Sequence, residues 1–191
     1  MAPESNDRTV MIAILLSSTL LTMLGIVGIL NGTNHLQTNA IPADPFDLYD
    51  GQPAPETEAE AQERLLNLQL QEAEATNPYR RPMAAANVVV SSLVLVGSFM
   101  LSWRRKLSQW WIRQAVIAKL IWIVGYTTTL VFHLRQAFPL IPTPNAEGVA
   151  LTQLTWSIVL ASLITAALHA TAAWRVSRAD ITDFIEASRR S

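Results

Sequence analysis

The sequence contains no cysteine. Disulfides, thiolate nucleophiles, cysteine metal sites and thiol-based redox chemistry are therefore excluded. Charged residues are also scarce, at 15% of the 191 residues, against roughly 25% in an average soluble domain. The scarcity is local, because four long apolar runs contain no aspartate, glutamate or arginine and only one lysine. A soluble helix bundle would carry charge every few residues on its outer faces, so this pattern indicates a membrane protein.

Four apolar runs, 10–30, 84–103, 115–134 and 149–174, each have about the 20 residues that a helix needs to cross a bilayer. We therefore predict an all-α integral membrane protein whose four transmembrane helices form an antiparallel bundle in the lipid bilayer. The first run is too long for the apolar region of a signal peptide, so we predict that it stays as a helix. The net charge of −1 indicates no nucleic-acid partner.

The one long polar region, residues 31–83, separates the first two apolar runs and is acidic. Thr57 and Glu60 have the spacing of a capping box, which predicts a helix over about 57–76. The region also holds three aspartates spaced by three residues, Asp44, Asp47 and Asp50. A calcium loop spaces its ligands by two, so these aspartates favour a solvated acidic loop over a metal site.

Basic residues are distributed unevenly between the two sides of the predicted membrane. Nine of the 14 lysines and arginines lie on the side of the turn 104–113, namely Arg8, Arg104, Arg105, Lys106, Arg113, Arg175, Arg178, Arg189 and Arg190. The other side has four, namely Arg64, Arg80, Arg81 and Arg135. By the positive-inside rule, the turn and both termini, 1–9 and 175–191, face the cytoplasm, and 31–83 and 135–148 face outward. We thus predict a multi-pass protein of the bacterial inner membrane.

The C-terminal segment places three apolar side chains, Ile181, Phe184 and Ile185, at helical spacing among charged residues. This pattern is typical of an amphipathic helix that lies in the membrane interface with its apolar face in lipid. We therefore predict a short interfacial helix whose two final arginines lie near anionic headgroups.

Small and weakly polar residues form stripes on the first two predicted helices. They are Ser18, Thr22, Gly25 and Gly28 on the first helix, and Asn87, Ser91, Ser98 and Ser102 on the second. Small side chains allow close approach between membrane helices, and hydroxyl and amide groups form hydrogen bonds across them. We therefore expect the stripe of the second helix to face protein rather than lipid. The stripe of the first helix fits either close helix approach or the ordinary small residues of a membrane helix.

The third and fourth predicted helices also carry stripes. The third has Ala115, Lys119, Trp122, Tyr126, Thr129 and His133, and the fourth has Thr155, Ser162, Ala166 and His169. If the two helices are antiparallel neighbours, the large residues of the third would face the small residues of the fourth. The expected pairs are Lys119 with His169, Trp122 with Ala166, Tyr126 with Ser162, and His133 with Thr155.

Lys119 is the one lysine within the apolar runs. An ionisable residue inside a membrane is a candidate functional residue, because burying it is costly. Lys119 lies about 10 Å along its helix from Ile112, so its aliphatic stem is long enough to carry the ammonium to the interface, and we favour this snorkelling. For the polar stripe as a whole we favour a packed seam whose hydroxyls and imidazole satisfy each other. The alternative is a pocket for a quinone, lipid or pigment, lined by Lys119, Trp122, Tyr126 and His169.

The three histidines do not predict a cofactor or a metal site. A haem held by two histidines needs both imidazoles at one depth, whereas His133 and His169 lie at opposite ends of their helices. A haem between His35 and His133 would depend on a loop residue, and the histidine spacing fits no zinc site. We predict no cofactor and no metal.

No nucleophile motif, phosphate-binding loop or pair of carboxylates occurs in the sequence, which argues against an enzyme. The lack of intramembrane carboxylates disfavours an ion pump. Our hypothesis is a non-enzymatic accessory or scaffolding subunit. It would contact membrane-protein partners, or further copies of itself, through its helix faces, the stripes on its first two helices above all, and through its acidic outer region 31–83. The alternative is a ligand-binding or redox-associated membrane protein that uses the pocket of Lys119 and His169.

Overall fold

The computed structural model describes residues 3–37, 57, 60–61, 76–137 and 147–188. These residues form five helices: α1 (Pro3–Gln37), α2 (Arg80–Ser102), α3 (Ser108–Ala137), α4 (Glu147–Val176) and α5 (Ala179–Ala187). Helices α1 to α4 are each long and apolar enough to cross a membrane. The predicted all-α bundle of four membrane helices is therefore confirmed, and the protein is a multi-pass membrane protein.

The long helices extend beyond the apolar runs that predicted them. Helix α1 continues to Gln37, because hydropathy marks only the part of a helix that matches the hydrocarbon layer. The predicted helix over about 57–76 lies mostly outside the described residues, as do the aspartates at positions 44, 47 and 50. At its predicted start, the Glu60 backbone N–H donates to Thr57 Oγ1 at 3.2 Å, which is half of the expected capping box.

Helices α1 and α2 pack with their backbones close together. A Cβ placed on Gly32 of α1 would lie 2.7 Å from Val88 Cγ2 of α2, so a glycine is needed there. Thr22 Oγ1 and Ser98 Oγ share a hydrogen bond of 2.8 Å between the helices. The small-residue stripes of α1 and α2 therefore face each other within the monomer.

The prediction that the α2 stripe faces protein is confirmed along most of its length. Asn87, Ser91 and Ser98 are 4%, 1% and 0% exposed. Ser102 differs from them because it is exposed at the last position of α2. The stripe is thus buried wherever α1 and α3 cover α2.

The turn between α2 and α3 is held by the C-terminal part of the chain, and we call this end of the bundle the turn end. Arg104 in the turn has a φ of 51°, a left-handed conformation that few residues other than glycine adopt. Its guanidinium carbon lies 5.1 Å from the centre of the Phe184 ring of α5. Gln109 Nε2 donates to the Val176 carbonyl oxygen at 2.9 Å and so links α3 to the end of α4.

Helix α5 forms where the amphipathic pattern predicts it, but its apolar face lies against protein. Ile181 is 0% exposed and Ile185 is 4% exposed, and both belong to a core cluster that includes Val10 and Ile14 of α1. The expectation that this face lies in lipid is therefore wrong. The ends of α1 and α4 offer an apolar protein surface that excludes the side chains of α5 from lipid.

The outer surface of the bundle is strongly apolar. Large side chains on every long helix are exposed, among them Leu16 (67%), Val89 (60%), Ile121 (68%) and Trp156 (68%). A water-soluble monomer rarely exposes so much contiguous apolar surface. The chain thus places apolar residues outward and small or polar residues inward, as a membrane bundle requires.

Candidate ligand site

Lys119 lies inside the bundle with 3% of its surface exposed. Its ammonium donates hydrogen bonds to Asn87 Oδ1 and, at 2.9 Å, to Ser91 Oγ, both on α2. The centre of the Trp122 ring lies 4.4 Å from Lys119 Nζ, a cation–π distance. The expectation that Lys119 snorkels to the interface is therefore wrong, because oxygen acceptors on α2 and the indole ring hold its ammonium inside the protein.

Helix α1 fixes the position of the acceptors for Lys119. Asn87 Nδ2 donates to the Gly28 carbonyl oxygen at 3.0 Å, and this bond turns Asn87 Oδ1 toward the ammonium. A Cβ on Gly28 would collide with the Ser91 side chain and lie 3.2 Å from Lys119 Nζ. Three helices can meet at the ammonium only because position 28 has no side chain.

The described residues provide no carboxylate for Lys119. Asp180, which pairs with Arg175 and Arg178, lies beyond α4 at the turn end, and no aspartate or glutamate is among the described residues that line the cavity around Lys119. A buried cation without a counterion is costly, and removing one member of a buried ion pair costs about 3–5 kcal/mol. The neutral acceptors and the indole ring offset part of this cost and leave the positive charge unbalanced.

His169 of α4 is the second buried polar group, with 1% of its surface exposed. Its Nδ1 lies 2.8 Å from the Thr165 carbonyl oxygen. Since that oxygen can only accept, Nδ1 carries the proton. His169 Nε2 is buried and has no hydrogen-bond partner among the residues described. Buried polar atoms without a partner are rare, so Nε2 marks a position where a further group is needed.

A cavity of about 300 Å³ joins these two groups. Its polar lining includes Asn31, Asn87, Lys119, Tyr126, Ser162, Thr165 and His169, and its apolar lining includes Leu24, Val27 and Ile123. Val27 of α1 and Ala161 of α4 line the cavity and are also exposed at the bundle surface. The cavity therefore opens toward lipid between α1 and α4. Its volume is at the lower end of the range for small-molecule sites.

A narrower cavity of about 40 Å³ lies toward the end of the bundle opposite the turn end. It shares Asn31, Asn87, Trp122 and Tyr126 with the larger cavity and is also lined by His35, Asn77 and Arg80. Such a volume holds one or two water molecules. A polar lining thus continues from Lys119 to this end of the bundle.

The four residues that the sequence assigned to a pocket, Lys119, Trp122, Tyr126 and His169, all line the larger cavity. Sequence reasoning missed Asn87 and Ser91 as partners of Lys119 and assigned them only to a packing stripe. One signal was available, because Asn87 is the only amide in its apolar run. A buried amide in a membrane helix requires a partner. The predicted spans did not suggest Lys119, because they place Asn87 near the outer end of its run and Lys119 near the inner end of its own.

The predicted pairs between α3 and α4 are partly wrong. Lys119 bonds to α2 rather than to His169, and Trp122 Nε1 also donates to α2, at the Met83 carbonyl oxygen, over 2.9 Å. Helix α3 is therefore rotated so that this part of its stripe faces α2. The register is correct to one residue, since Thr127 Oγ1 donates to Ser162 Oγ at 2.7 Å where Tyr126 was expected.

Among the described residues, the three histidines lie at separate places and do not form a metal or haem site. His133 Nε2 shares a hydrogen bond of 3.2 Å with Thr76 Oγ1, whereas His35 lines the narrow cavity. No three histidine, aspartate or glutamate side chains among the described residues are grouped closely enough to hold a metal ion.

Comparison with known proteins gives no match for this chain, whether with protein-family models, with curated proteins or with solved structures. The features of this protein that bear on its function are therefore the cavity and the residues that line it.

Proposed function

We propose that this protein binds a small amphipathic molecule, such as a quinone, a lipid or a pigment, inside its helix bundle. The observation that carries the proposal is a cavity of about 300 Å³ in which the described residues provide neither a counterion for the Lys119 ammonium nor a hydrogen-bond partner for His169 Nε2. Both groups would gain hydrogen bonds from a polar head, and each buried unmade bond costs about 1–3 kcal/mol.

The lining of the cavity fits an amphipathic molecule. Lys119 and His169 form its polar inner part, whereas Leu24 and Val27 of α1 lie toward the opening. A molecule entering from the bilayer would therefore place its polar head on the buried groups and leave its apolar part among the helix surfaces and lipid. Ligand sites of this kind combine an apolar lining with a few positioned polar groups.

The role of accessory or scaffolding subunit stays a prediction, as do a membrane-protein partner and a homo-oligomer. It was based on the small-residue stripes of α1 and α2, which meet each other through pairs such as Thr22 and Ser98. The stripes that were expected to contact a partner therefore contact each other within the monomer. For this reason we base the proposed function on the cavity.

The ligand proposal is tested by extracting the protein purified from its native membrane in mild detergent. We expect one amphipathic molecule at about one copy per protein, identified by mass spectrometry and an absorption spectrum. Ala161→Phe fills the cavity from α4 and should remove this molecule. Ala167→Phe makes the same change on an exposed position of α4 outside the cavity and should retain it.

Two results would contradict the ligand proposal. One is a wild-type protein that yields only bulk membrane lipids in bulk proportions. The other is loss of the same molecule from Ala161→Phe and Ala167→Phe alike, which would place it on the outer surface of α4.

We further propose that the protein lies in a bacterial inner membrane with the turn end and both termini in the cytoplasm. The basic turn supports this orientation by the positive-inside rule. Trp103, Trp110 and Trp174 are exposed at the turn end, where indole rings favour the membrane interface.

The absence of cysteine makes this orientation directly testable. Lys106→Cys at the turn and Gln37→Cys at the opposite end both place a thiol at an exposed position. A membrane-impermeant maleimide should label Gln37→Cys in intact spheroplasts and label Lys106→Cys only after the membrane is opened. The reverse pattern would refute the orientation.

A further inference from the structure

We infer that the molecule bound in the cavity is a single-chain amphiphile with a carboxylate head, the chemical class of long-chain fatty acids. This inference rests on the proposed function and specifies its ligand. It depends on the charge balance at Lys119, on the hydrogen-bonding state of His169 and on the depth of both groups in the bundle.

Charge balance favours an anion. Lys119 is 3% exposed, and its two hydrogen-bond acceptors, Asn87 and Ser91, are uncharged. The residues that line the cavity include no aspartate or glutamate. A quinone carbonyl or an alcohol would add a hydrogen bond and leave the charge unbalanced, whereas a monoanion would balance it. Hydrogen bonds between charged partners are about twice as strong as neutral ones.

The imidazole can hold the second oxygen of such a head. In the neutral ring, His169 Nδ1 donates to the Thr165 carbonyl and the buried Nε2 is an acceptor. A carboxylate that accepts from Lys119 would favour proton uptake at Nε2, because an adjacent anion stabilises the charged ring. Nε2 would then donate to the second carboxylate oxygen.

The depth of the site favours a carboxylate over a phospholipid headgroup. Lys119 lies about 10 Å along α3 from Ile112, and so well below the interface that phosphate groups occupy. A phospholipid phosphate carries further polar groups and two chains that hold it at the interface. A single-chain carboxylate has one compact head, and its chain can pass Leu24 and Val27 and leave between α1 and α4.

Fluorescence of Trp122, whose ring lies beside the ammonium, gives a direct measurement of binding. The protein is placed in nanodiscs of zwitterionic lipid and titrated with 2-bromohexadecanoic acid, whose bromine lies beside the carboxyl group and quenches nearby tryptophan. The methyl ester of the same acid has the same chain without the charge. We expect the acid to quench saturably at a mole fraction about tenfold or more below that of the ester. In Trp122→Phe this saturable component should disappear.

A second pair of variants tests the charge without removing Lys119, whose loss could prevent folding. Ala161→Glu places an internal carboxylate at the cavity and should abolish saturable quenching by the acid, while raising the melting temperature. Ala161→Gln has the same size without the charge and should retain more of the binding.

The outcomes distinguish the inference from the proposed function. If the ester binds as well as the acid, or if Ala161→Glu and Ala161→Gln lose binding equally, the carboxylate head is refuted and an amphipathic ligand stands. If the acid, the ester and a brominated quinone probe all fail to quench Trp122 saturably, the proposed function fails as well.

Discussion

The contact between α1 and α2 and the contact between α3 and α4 differ in how the helices meet. In the first, glycines bring the backbones together, and Asn87 of α2 bonds directly to the Gly28 carbonyl of α1. In the second, one hydroxyl pair, Thr127 and Ser162, crosses beside a cavity. The first contact is a close-packed support for the buried ammonium, and the second leaves room for a ligand.

Helix α4 itself has a closely packed part and a loosely packed part. Between residues 151 and 168 no side chain of α4 is buried. The buried ones, His169, Ala172, Ala173 and Val176, lie toward the turn end. Helix α4 is therefore fixed at the turn end, and its remaining length has few buried apolar contacts to resist displacement. This is the wall of the cavity through which the proposed ligand would enter from the bilayer.

The largest expected effect is at the α1–α2 contact. Gly28→Ala places a methyl group against Ser91 and close to Lys119, and overpacking of this kind costs about 1–3 kcal/mol. Gly125→Ala is the matched control, because its Cβ would meet nothing nearer than Met83 Cε at 3.9 Å. Unfolding in detergent should separate the two variants. Equal stability would show that the α1–α2 contact is not close-packed.

A smaller effect is expected at the α3–α4 contact. Thr127→Val removes the hydroxyl that donates to Ser162, and hydrogen bonds between membrane helices contribute about 0.6 kcal/mol on average. The free energy of unfolding should fall by about that amount. A loss as large as that of Gly28→Ala would mean that α4 is held as firmly as α1, contrary to the comparison.

The smallest effect is expected at the turn end, where α5 follows α4. Arg175 Nη1 donates to both Asp180 carboxylate oxygens at 3.1 Å, and this hydrogen bond lowers the pKa of Asp180. Because the pKa of Asp180 is lower in the folded protein than in the unfolded chain, the pair stabilises the fold at pH values above the unfolded-state pKa. This stabilisation is lost as the pH falls through the folded-state pKa. The pair is partly exposed, so its contribution is under about 1 kcal/mol.

Replacing the carboxylate at this pair should show that pH dependence. Asp180→Asn should be slightly less stable than the wild type near neutral pH and equally stable in acid below the folded pKa. Asp183→Asn changes an exposed aspartate of the same helix and is the control. A difference between Asp180→Asn and wild type that persists unchanged in acid would contradict an electrostatic origin.

The sequence was sufficient for the helices and for parts of their inward faces. Four apolar runs required four spans, because a backbone in lipid must satisfy its own hydrogen bonds. The α2 stripe was correctly predicted to face protein, since Asn87 and Ser91 would be costly in lipid. Lys119, Trp122, Tyr126 and His169 were grouped from spacing alone, and they line one cavity.

The partners within the bundle could not be read from the chain. Helical periodicity shows which residues share one face of a helix, because successive residues are about 100° apart around its axis. It does not show which neighbouring helix that face contacts, since a small rotation of the whole helix changes the neighbour. This rotation turns Lys119 from His169 toward Asn87.

The sequence by itself determined an all-helical membrane protein, a basic turn end and a set of polar residues within the spans, because these follow from local composition and from the solvation of the backbone in lipid. Only the tertiary structure decided that α5 packs on protein, that Gly28 admits the Asn87–Lys119 contact, and that His169 Nε2 lies across a cavity without a partner among the described residues. Those features depend on distances between segments that are remote in the chain, and such distances are set by how the helices pack together.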